Sequence, residues 1–274
     1  MSSIKNVTIA GATGYLGPAV VKAVKEAGFN VTILLRASNS SEVTFDGVKI
    51  ARIDYGSLDS LVDALKGQDA VVSAMNHLYF DEQKALVEAS DKAGVKRFLP
   101  SEYGLDVSIP AVRAVPYLRA KGLIQDLLKK SSMTYTVLYT GPFLEWGLDN
   151  FFVDYRNAVA NVWNGGDISV GISTLADVGR AVVNSLLHSE ETENKALYTS
   201  SAMTTQNEIL SAIQEADKEG RSMEFEVVRD FLGSTIYGLE VEAGVPYGRD
   251  NALLGIKMVT PEELRQLVIN HVRE

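Results

Sequence analysis

Apolar positions along the first half of the chain fall into two alternating rhythms. Short, nearly unbroken runs of aliphatic and β-branched residues at 4–10, 31–35, 48–53, 70–73, 97–100 and 134–139 read as strands buried on both faces. Between them, residues 15–27, 58–65, 80–93 and 117–130 space their apolar positions three and four apart, the stripe of an amphipathic helix. Strands that alternate with helices do not pair through hairpins; each crossover lays a helix over one face of a parallel sheet. The predicted fold class is α/β, a doubly wound parallel sheet.

After Tyr139 the rhythm weakens, through Gly141-Pro142-Phe143 and an aromatic, Asn-rich stretch that ends at Asn164-Gly165-Gly166. Two later helices are announced by capping boxes. Thr205 is followed by Glu208, and Thr260 by Pro261 at the first helical position and Glu263 at the third. The expected organisation is a sheet domain over residues 1–145 and a mixed region over 146–274 that completes the sheet and forms a small C-terminal substrate-binding lobe. With no repeat or linker between them, the two should form one compact body.

The turn after the first strand, Gly11-Ala12-Thr13-Gly14-Tyr15-Leu16-Gly17, changes the picture from fold to ligand. Glycine tolerates positive φ and lets a backbone approach a diphosphate without a Cβ in the way. The helix that follows offers unpaired N–H groups and the positive end of its dipole. Strand, glycine turn and helix together predict a Rossmann dinucleotide site built from Gly11, Thr13, Gly14, Tyr15, Leu16 and Gly17. At the end of the second strand, where many such folds carry an acidic residue for the ribose hydroxyls, this chain has Arg36, followed by Ser38, Ser40 and Ser41. A guanidinium holds a 2′-phosphate that a carboxylate would repel, so the expected cofactor is NADPH rather than NADH.

Ligands of open α/β sheets sit beyond the carboxyl ends of the strands, which directs attention to the residues just after each one. Asp54 is placed to meet the adenine amino group or, equally, to form a turn through its own side chain. Ser73, Ala74 and Met75 are expected along the nicotinamide ribose, and Tyr139, Gly141, Pro142 and Phe143 beside the cofactor. Ser101, Glu102 and Tyr103 follow the fifth strand. Tyr117-Leu118-Arg119-Ala120-Lys121 then sets a phenol and an ammonium one helical turn apart, on one face, where the cation favours phenolate. Tyr117 and Lys121 are the candidate proton donors, with Ser101 orienting a substrate oxygen. Glu102, Tyr103 and Trp146 are expected at the substrate. Residues 231–255, rich in glycine and carrying Tyr237 and Tyr247, suit a mobile cover over the cleft.

Bulk properties remove several alternatives. A net charge of −9 over 274 residues offers no basic surface for nucleic acid. With no cysteine there is no disulfide or thiolate, and His77, His188 and His271 lack metal-ligand spacing, so no metal site is expected. The last two fall at helix ends, as capping or surface residues do; His77, past the fourth strand, is a weaker substrate candidate. Glu190-Glu191-Thr192-Glu193 reads as a solvated loop. No run is apolar over a membrane-spanning length, and the first strand begins by Ile4 without a charged leader, so the expectation is a cytoplasmic monomer or homodimer acting on a small molecule.

The chain resembles the NmrA-like members of the atypical short-chain dehydrogenase/reductase superfamily, near the isoflavone reductase-like branch. The glycine turn, Arg36, Phe98-Leu99-Pro100-Ser101-Glu102-Tyr103-Gly104, Lys121 and Tyr135-Thr136-Val137 carry the resemblance. It implies an NADPH-binding Rossmann domain with a substrate cleft against a small lobe. It also implies reduction of a carbonyl or conjugated alkene in a small aromatic or polyketide-like metabolite. In that branch a lysine on the helix after the fifth strand acts at the substrate or positions the nicotinamide ribose, and Lys121 matches it; the superfamily's tyrosine would fall at Tyr117. Two other functions suit the same fold: a redox-sensing regulator that binds NADP without turning it over, and an isomerase, dehydratase or cyclase.

Overall fold

The computed structural model describes residues 4–38, 45–76, 78–151, 153–154, 159–162, 164–216, 226–228 and 243–273. The first half follows the predicted alternation: β1 (Asn6–Ala10), α1 (Gly17–Glu26), β2 (Asn30–Arg36), β3 (Lys49–Ile53), α2 (Leu58–Leu65), β4 (Ala70–Ser73), α3 (Phe80–Lys92) and β5 (Arg97–Leu99). A short α4 (Pro110–Arg113) precedes α5 (Pro116–Leu128) and β6 (Thr134–Tyr139). The strands lie parallel in the order β10-β6-β5-β4-β1-β2-β3, where β10 (Lys195–Tyr198) comes from the second half of the chain. The order reverses between β1 and β4, and a doubly wound sheet opens its ligand crevice at that reversal.

Period-two alternation sorts the strand side chains onto two faces. Val7 and Ile9 of β1, Val31, Ile33 and Leu35 of β2, and Val72 of β4 pack with Val20, Val21 and Val24 of α1 and with α7 (Leu175–Leu187). Ala10, Leu34 and Val71 face the other way, onto Leu61 and Leu65 of α2, Leu86 of α3 and Ile124 and Leu128 of α5. Gly179 lets α7 approach α1 closely, since a Cβ there would lie 3.0 Å from the Ala19 carbonyl oxygen. Helix α7, anticipated only by His188 at its end, and β10, a short edge strand with little pattern, both belong to the sheet layer.

A third apolar cluster builds the lobe. Leu105, Leu118, Leu144, Leu148, Ile172, Ile213, Leu264 and Val268 draw together the loop after β5, α5, α6 (Leu144–Trp146), β9 (Val170–Ile172), α8 (Gln206–Ala216) and the last helix, α9 (Pro261–Arg273). β9 pairs antiparallel with β11 (Ala202–Thr204), and β7 (Val153–Asp154), β8 (Val159–Asn161) and β12 (Glu226–Val228) form a small separate sheet. Both capping boxes form. Thr205 N–H donates to Glu208 at 2.9 Å and Glu208 N–H to Thr205 Oγ1 at 3.2 Å, with the same reciprocal pair between Thr260 and Glu263 at 2.7 and 3.2 Å.

The loop at 190–193 is not wholly solvated. Thr192 is fully buried, and its hydroxyl accepts at 3.1 Å from Arg97, a buried guanidinium that also reaches Thr134 and Thr136 and ties β5 and β6 to the end of α7. Among the described residues no helix is long and apolar enough to cross a membrane, and no cluster of three or more metal-ligating side chains occurs.

Candidate active site

The glycine turn sits at the sheet's reversal point, and its three glycines have different reasons. Gly11 has φ +81°, and a Cβ there would lie 2.5 Å from the Ala74 carbonyl oxygen, because the turns after β1 and β4 nearly touch. Gly17 opens α1, where a Cβ would run into the Gly11 and Ala12 backbone. Gly14 is different. A Cβ there would be 3.2 Å from the Gly11 oxygen, a tight but not excluded position, and the residue is exposed with Thr13 and Tyr15 on the outer side of the turn. The amides of the first turn of α1 receive no side-chain cap. This is a cradle that a Cβ on residue 14 would partly fill, with uncapped N–H groups beyond it, and it fits an anionic diphosphate.

From the turn a groove runs in two directions. On one side a recess of about 330 Å3 is walled by Thr13, Gly14, Arg36, Tyr55, Met75 and Tyr79. The Arg36 guanidinium lies 5.2 Å from the Tyr55 ring centre and 4.9 Å from that of Tyr79, and its Nη2 pairs with Glu82 at 2.9 Å. Past Arg36 a further hollow of about 580 Å3 includes Ser38, Asp54, Asp81 and Glu82. Asp54 lines it and also forms the turn, its Oδ1 accepting from Gly56 N–H at 2.9 Å. Ser40, Ser41 and His77 lie outside the described residues.

On the other side lies a cleft of about 370 Å3, and it shares Gly14, Ala74, Met75 and Asn76 with the recess. Its walls bring together Tyr15, Leu16, Ser101, Tyr103, Tyr117, Lys121, Gly141, Pro142, Phe143 and Trp146. These are the strand-end and helix-start residues singled out from the sequence, assembled around one space. Gly141, with φ +63°, packs against the Gly171 carbonyl so closely that a Cβ would overlap it.

Several expected residues sit behind the walls instead. Ser73 is fully buried and lines neither recess nor cleft; only the residues after it reach the groove. Tyr139 is also fully buried, its hydroxyl accepting from Gln125 at 3.0 Å and its ring tilted on Tyr198. Glu102 is 1% exposed and does not line the cleft. Glu145, beside Trp146, accepts from the Leu175 N–H with both oxygens, at 3.0 and 3.1 Å, and so anchors α7. In the expected cover, Tyr247 packs on Gly171 of β9, while Phe231 and Tyr237 lie outside the described residues, as does Phe152. His188 closes α7 against the Asn184 carbonyl, and His271 meets Asp149 at 3.1 Å.

The chemistry of the cleft centres on α5. Lys121 Nζ donates to the Glu102 carbonyl oxygen at 2.6 Å. Burial lowers the lysine's proton affinity, against the opposing pull of the Glu102 carboxylate. Burial also pushes the Glu102 carboxyl up to about 7, with Lys121 drawing it back down. Tyr117, in the first turn of α5, is 41% exposed at the cleft rim. Ser101 gives its hydroxyl proton to the Met75 carbonyl at 2.6 Å, which leaves its oxygen lone pairs as the free part of the group. Tyr103 lines the cleft with its hydroxyl unpartnered.

Comparison with known proteins decides the family. The model of the NmrA-like family matches residues 3–253. The chain belongs to the NmrA-like family. It is 36% identical to the oxidoreductase aprR of Aspergillus flavus over 224 residues, 76% of this chain and 72% of that protein. An isoflavone reductase homolog of Solanum tuberosum is 29% identical over 244 residues, covering 82% and 78%. Among solved structures, isoflavone reductase superposes with a TM-score of 0.75 at 23% identity over 97% of this chain and 99% of that one. A complex described as AtPrR2 with NADP+ and (+)pinoresinol gives 0.69 at 25% identity over 95% and 92%. This NmrA-like protein therefore has the α/β fold of isoflavone reductase, with a seven-stranded parallel sheet.

Groove residues that carried no sequence expectation include Leu105 and Leu118 in the cleft and Tyr79 and Glu82 around Arg36. The last two stand at the start of the helix that follows β4, where the strand-end rule, extended by one turn, would have reached them.

Proposed function

We propose that this NmrA-like protein is an NADPH-dependent reductase of a carbonyl or conjugated alkene in a small aromatic or polyketide-like metabolite. The observation that carries the reading is the continuity of the groove: Arg36 at one end, the Gly14 cradle in the middle and Lys121 at the other. Arg36 would hold the 2′-phosphate of a dinucleotide laid along it, Gly14 and the amides of α1 would hold its diphosphate, and Met75, Gly141 and Pro142 would border its nicotinamide. When bound, NADPH supplies a hydride to an electrophilic carbon of the substrate.

The chain's own residues then have three tasks. Tyr15, Phe143 and Trp146 offer aromatic faces on which a planar substrate stacks. Lys121 gives a proton to the substrate oxygen, or to the carbon next to the one reduced. One of its three N–H groups is held by Glu102, and the other two remain for the cleft. Tyr117 at the rim borders the same space, and Ser101 accepts a hydrogen bond from a substrate hydroxyl. Relatives named as oxidoreductases, and related structures described with NADP+ or NADPH, support the cofactor and reaction class.

The test is NADPH consumption by the purified protein against a panel of aromatic ketones, enones and benzylic ethers. The expected result is oxidation with at least one of them, with turnover falling about 100-fold or more in Lys121→Ala while NADPH binding holds. Tight NADPH binding with no consumption across the panel would instead favour a redox-sensing or non-redox role.

A further inference from the structure

Behind the cleft wall lies a carboxyl group that the reaction above does not use. Neither oxygen of Glu102 makes a hydrogen bond of ordinary geometry. The Gln125 amide donates to the Tyr139 hydroxyl and also bears on the Glu102 carboxylate, drawing its proton affinity down, while the Arg113 guanidinium is engaged by Asp126. Lys121 binds the backbone carbonyl of the same glutamate rather than its carboxylate. A buried carboxyl without a hydrogen bond of ordinary geometry is costly to hold, and such groups concentrate where function keeps them in place.

The surroundings give it a direction of action. Lys121 is the charged group that bears on it most strongly, drawing its proton affinity down, followed by the Gln125 amide in the same direction, Asp106 on the same loop in the opposite one, and Arg113 at the end of α4. The Tyr103 and Tyr139 hydroxyls lie within its field. On the cleft side the ammonium lies against the loop after β5, where a Cβ on Gly104 would meet Lys121 Nζ at an ordinary contact distance of 3.7 Å.

We propose that Glu102 is the positioning residue of this site, its backbone carbonyl aiming the Lys121 ammonium and its buried carboxylate keeping that ammonium charged. The proposal rests on the reading of Lys121 as proton donor. In one turnover the hydride forms a C–H bond on the substrate and a Lys121 N–H bond breaks. That proton completes the reduced product and leaves a neutral amine. The uncompensated Glu102 carboxylate then favours return of a proton to the amine from cleft water, which releases hydroxide to bulk solvent and restores the starting charge. Glu102 and Lys121 thus titrate as a coupled pair.

The experiment is an NMR titration of protein carrying 15N-labelled lysine side chains and 13C-labelled glutamate carboxyls, without cofactor or substrate, with the Lys121 and Glu102 signals assigned from Lys121→Met and Glu102→Gln. A neighbouring opposite charge moves a titration midpoint by about 1–3 pH units. The expected results are a Lys121 midpoint about one unit or more lower in Glu102→Gln, a Glu102 midpoint higher by a similar amount in Lys121→Met, and partial recovery of the lysine midpoint in Glu102→Asp. A Lys121 midpoint unmoved in folded Glu102→Gln overturns the proposal. If that variant does not fold, an unmoved Glu102 midpoint in Lys121→Met overturns it equally. Coupling observed alongside full turnover in Lys121→Ala would remove Lys121 as the proton donor, leaving both the reductase activity and the coupled pair standing.

Discussion

In the proposed function Arg36 carries the cofactor preference, and its neighbours complicate the task. A charged, paired hydrogen bond to a 2′-phosphate is worth roughly 1.5 to 3 kcal/mol, so Arg36→Ala should weaken NADPH binding about ten- to a hundredfold and leave NADH nearly unchanged in calorimetric titrations. Glu82 already occupies part of the guanidinium at 2.9 Å, and an incoming phosphate competes with it. Glu82→Gln is therefore expected to tighten NADPH by about fivefold at low salt, with the gain shrinking as salt screens the pair. Equal NADPH and NADH affinities in the unmodified protein would contradict the role of Arg36.

Glu102 makes a pH prediction at the same scale. Its folded-state proton affinity is raised from 4.5 to about 7 by burial, so between those values the folded protein keeps a proton that the unfolded chain has lost. This contribution to stability is present below the unfolded value and is lost as pH rises through the folded one. Thermal midpoints measured near pH 5 and near pH 8 should fall more steeply for the unmodified protein than for Glu102→Gln. Parallel falls would show that the carboxyl is not desolvated. That a residue just after β5 would matter was readable in the sequence. Which way its side chain points was not, because strand-end position fixes the backbone and leaves the rotamer to the packing of α5.

At the scale of elements, the strand–turn–helix unit separates folding from binding within seven residues. Gly17→Ala forces a Cβ into the Gly11 and Ala12 backbone and is expected to cost about 2 kcal/mol or more of stability. Gly14→Ala meets only a 3.2 Å contact, so it should keep a near-native thermal midpoint yet lose NADPH affinity about tenfold or more by filling the cradle. If both variants lose stability alike, the cradle is structural and nothing more. The strands and helices up to Tyr139 were legible because strong hydrophobic periods coincided with turn signals. Helix α7 was anticipated only at its end, by His188, although Val178, Ala181, Val182 and Leu186 give it a clear apolar stripe, because after Tyr139 only Thr-x-x-Glu capping boxes marked helices and its cap is Thr174 accepting from Asp177 N–H. Strand β10 is a short edge strand with two exposed residues, which leaves little pattern to read.

Across the whole molecule, the groove exists because distant segments converge on one edge of the sheet. The reversal between β1 and β4 brings Gly11 against Ala74, α5 carries Lys121 beneath the loop after β5, and the segment after β6 closes the far wall with Phe143 and Trp146. Across this arrangement Asp149 accepts from Tyr15 at 3.4 Å and meets His271 of α9 at 3.1 Å, which links the glycine turn to the lobe. Sequence spacing could nominate the participants one by one. It could not separate Ser73 and Tyr139, which are buried, from Ala74 and Gly141, which line the groove, since neighbours along a strand end differ only in the face they present.

The most direct test of this account is a crystal structure of the protein with NADPH. The groove predicts a 2′-phosphate on Arg36, the diphosphate against Gly14 and the first amides of α1, and a nicotinamide ring opening onto the space bordered by Lys121. A cofactor whose 2′-phosphate lies away from Arg36, or whose nicotinamide is walled off from Lys121, would contradict it.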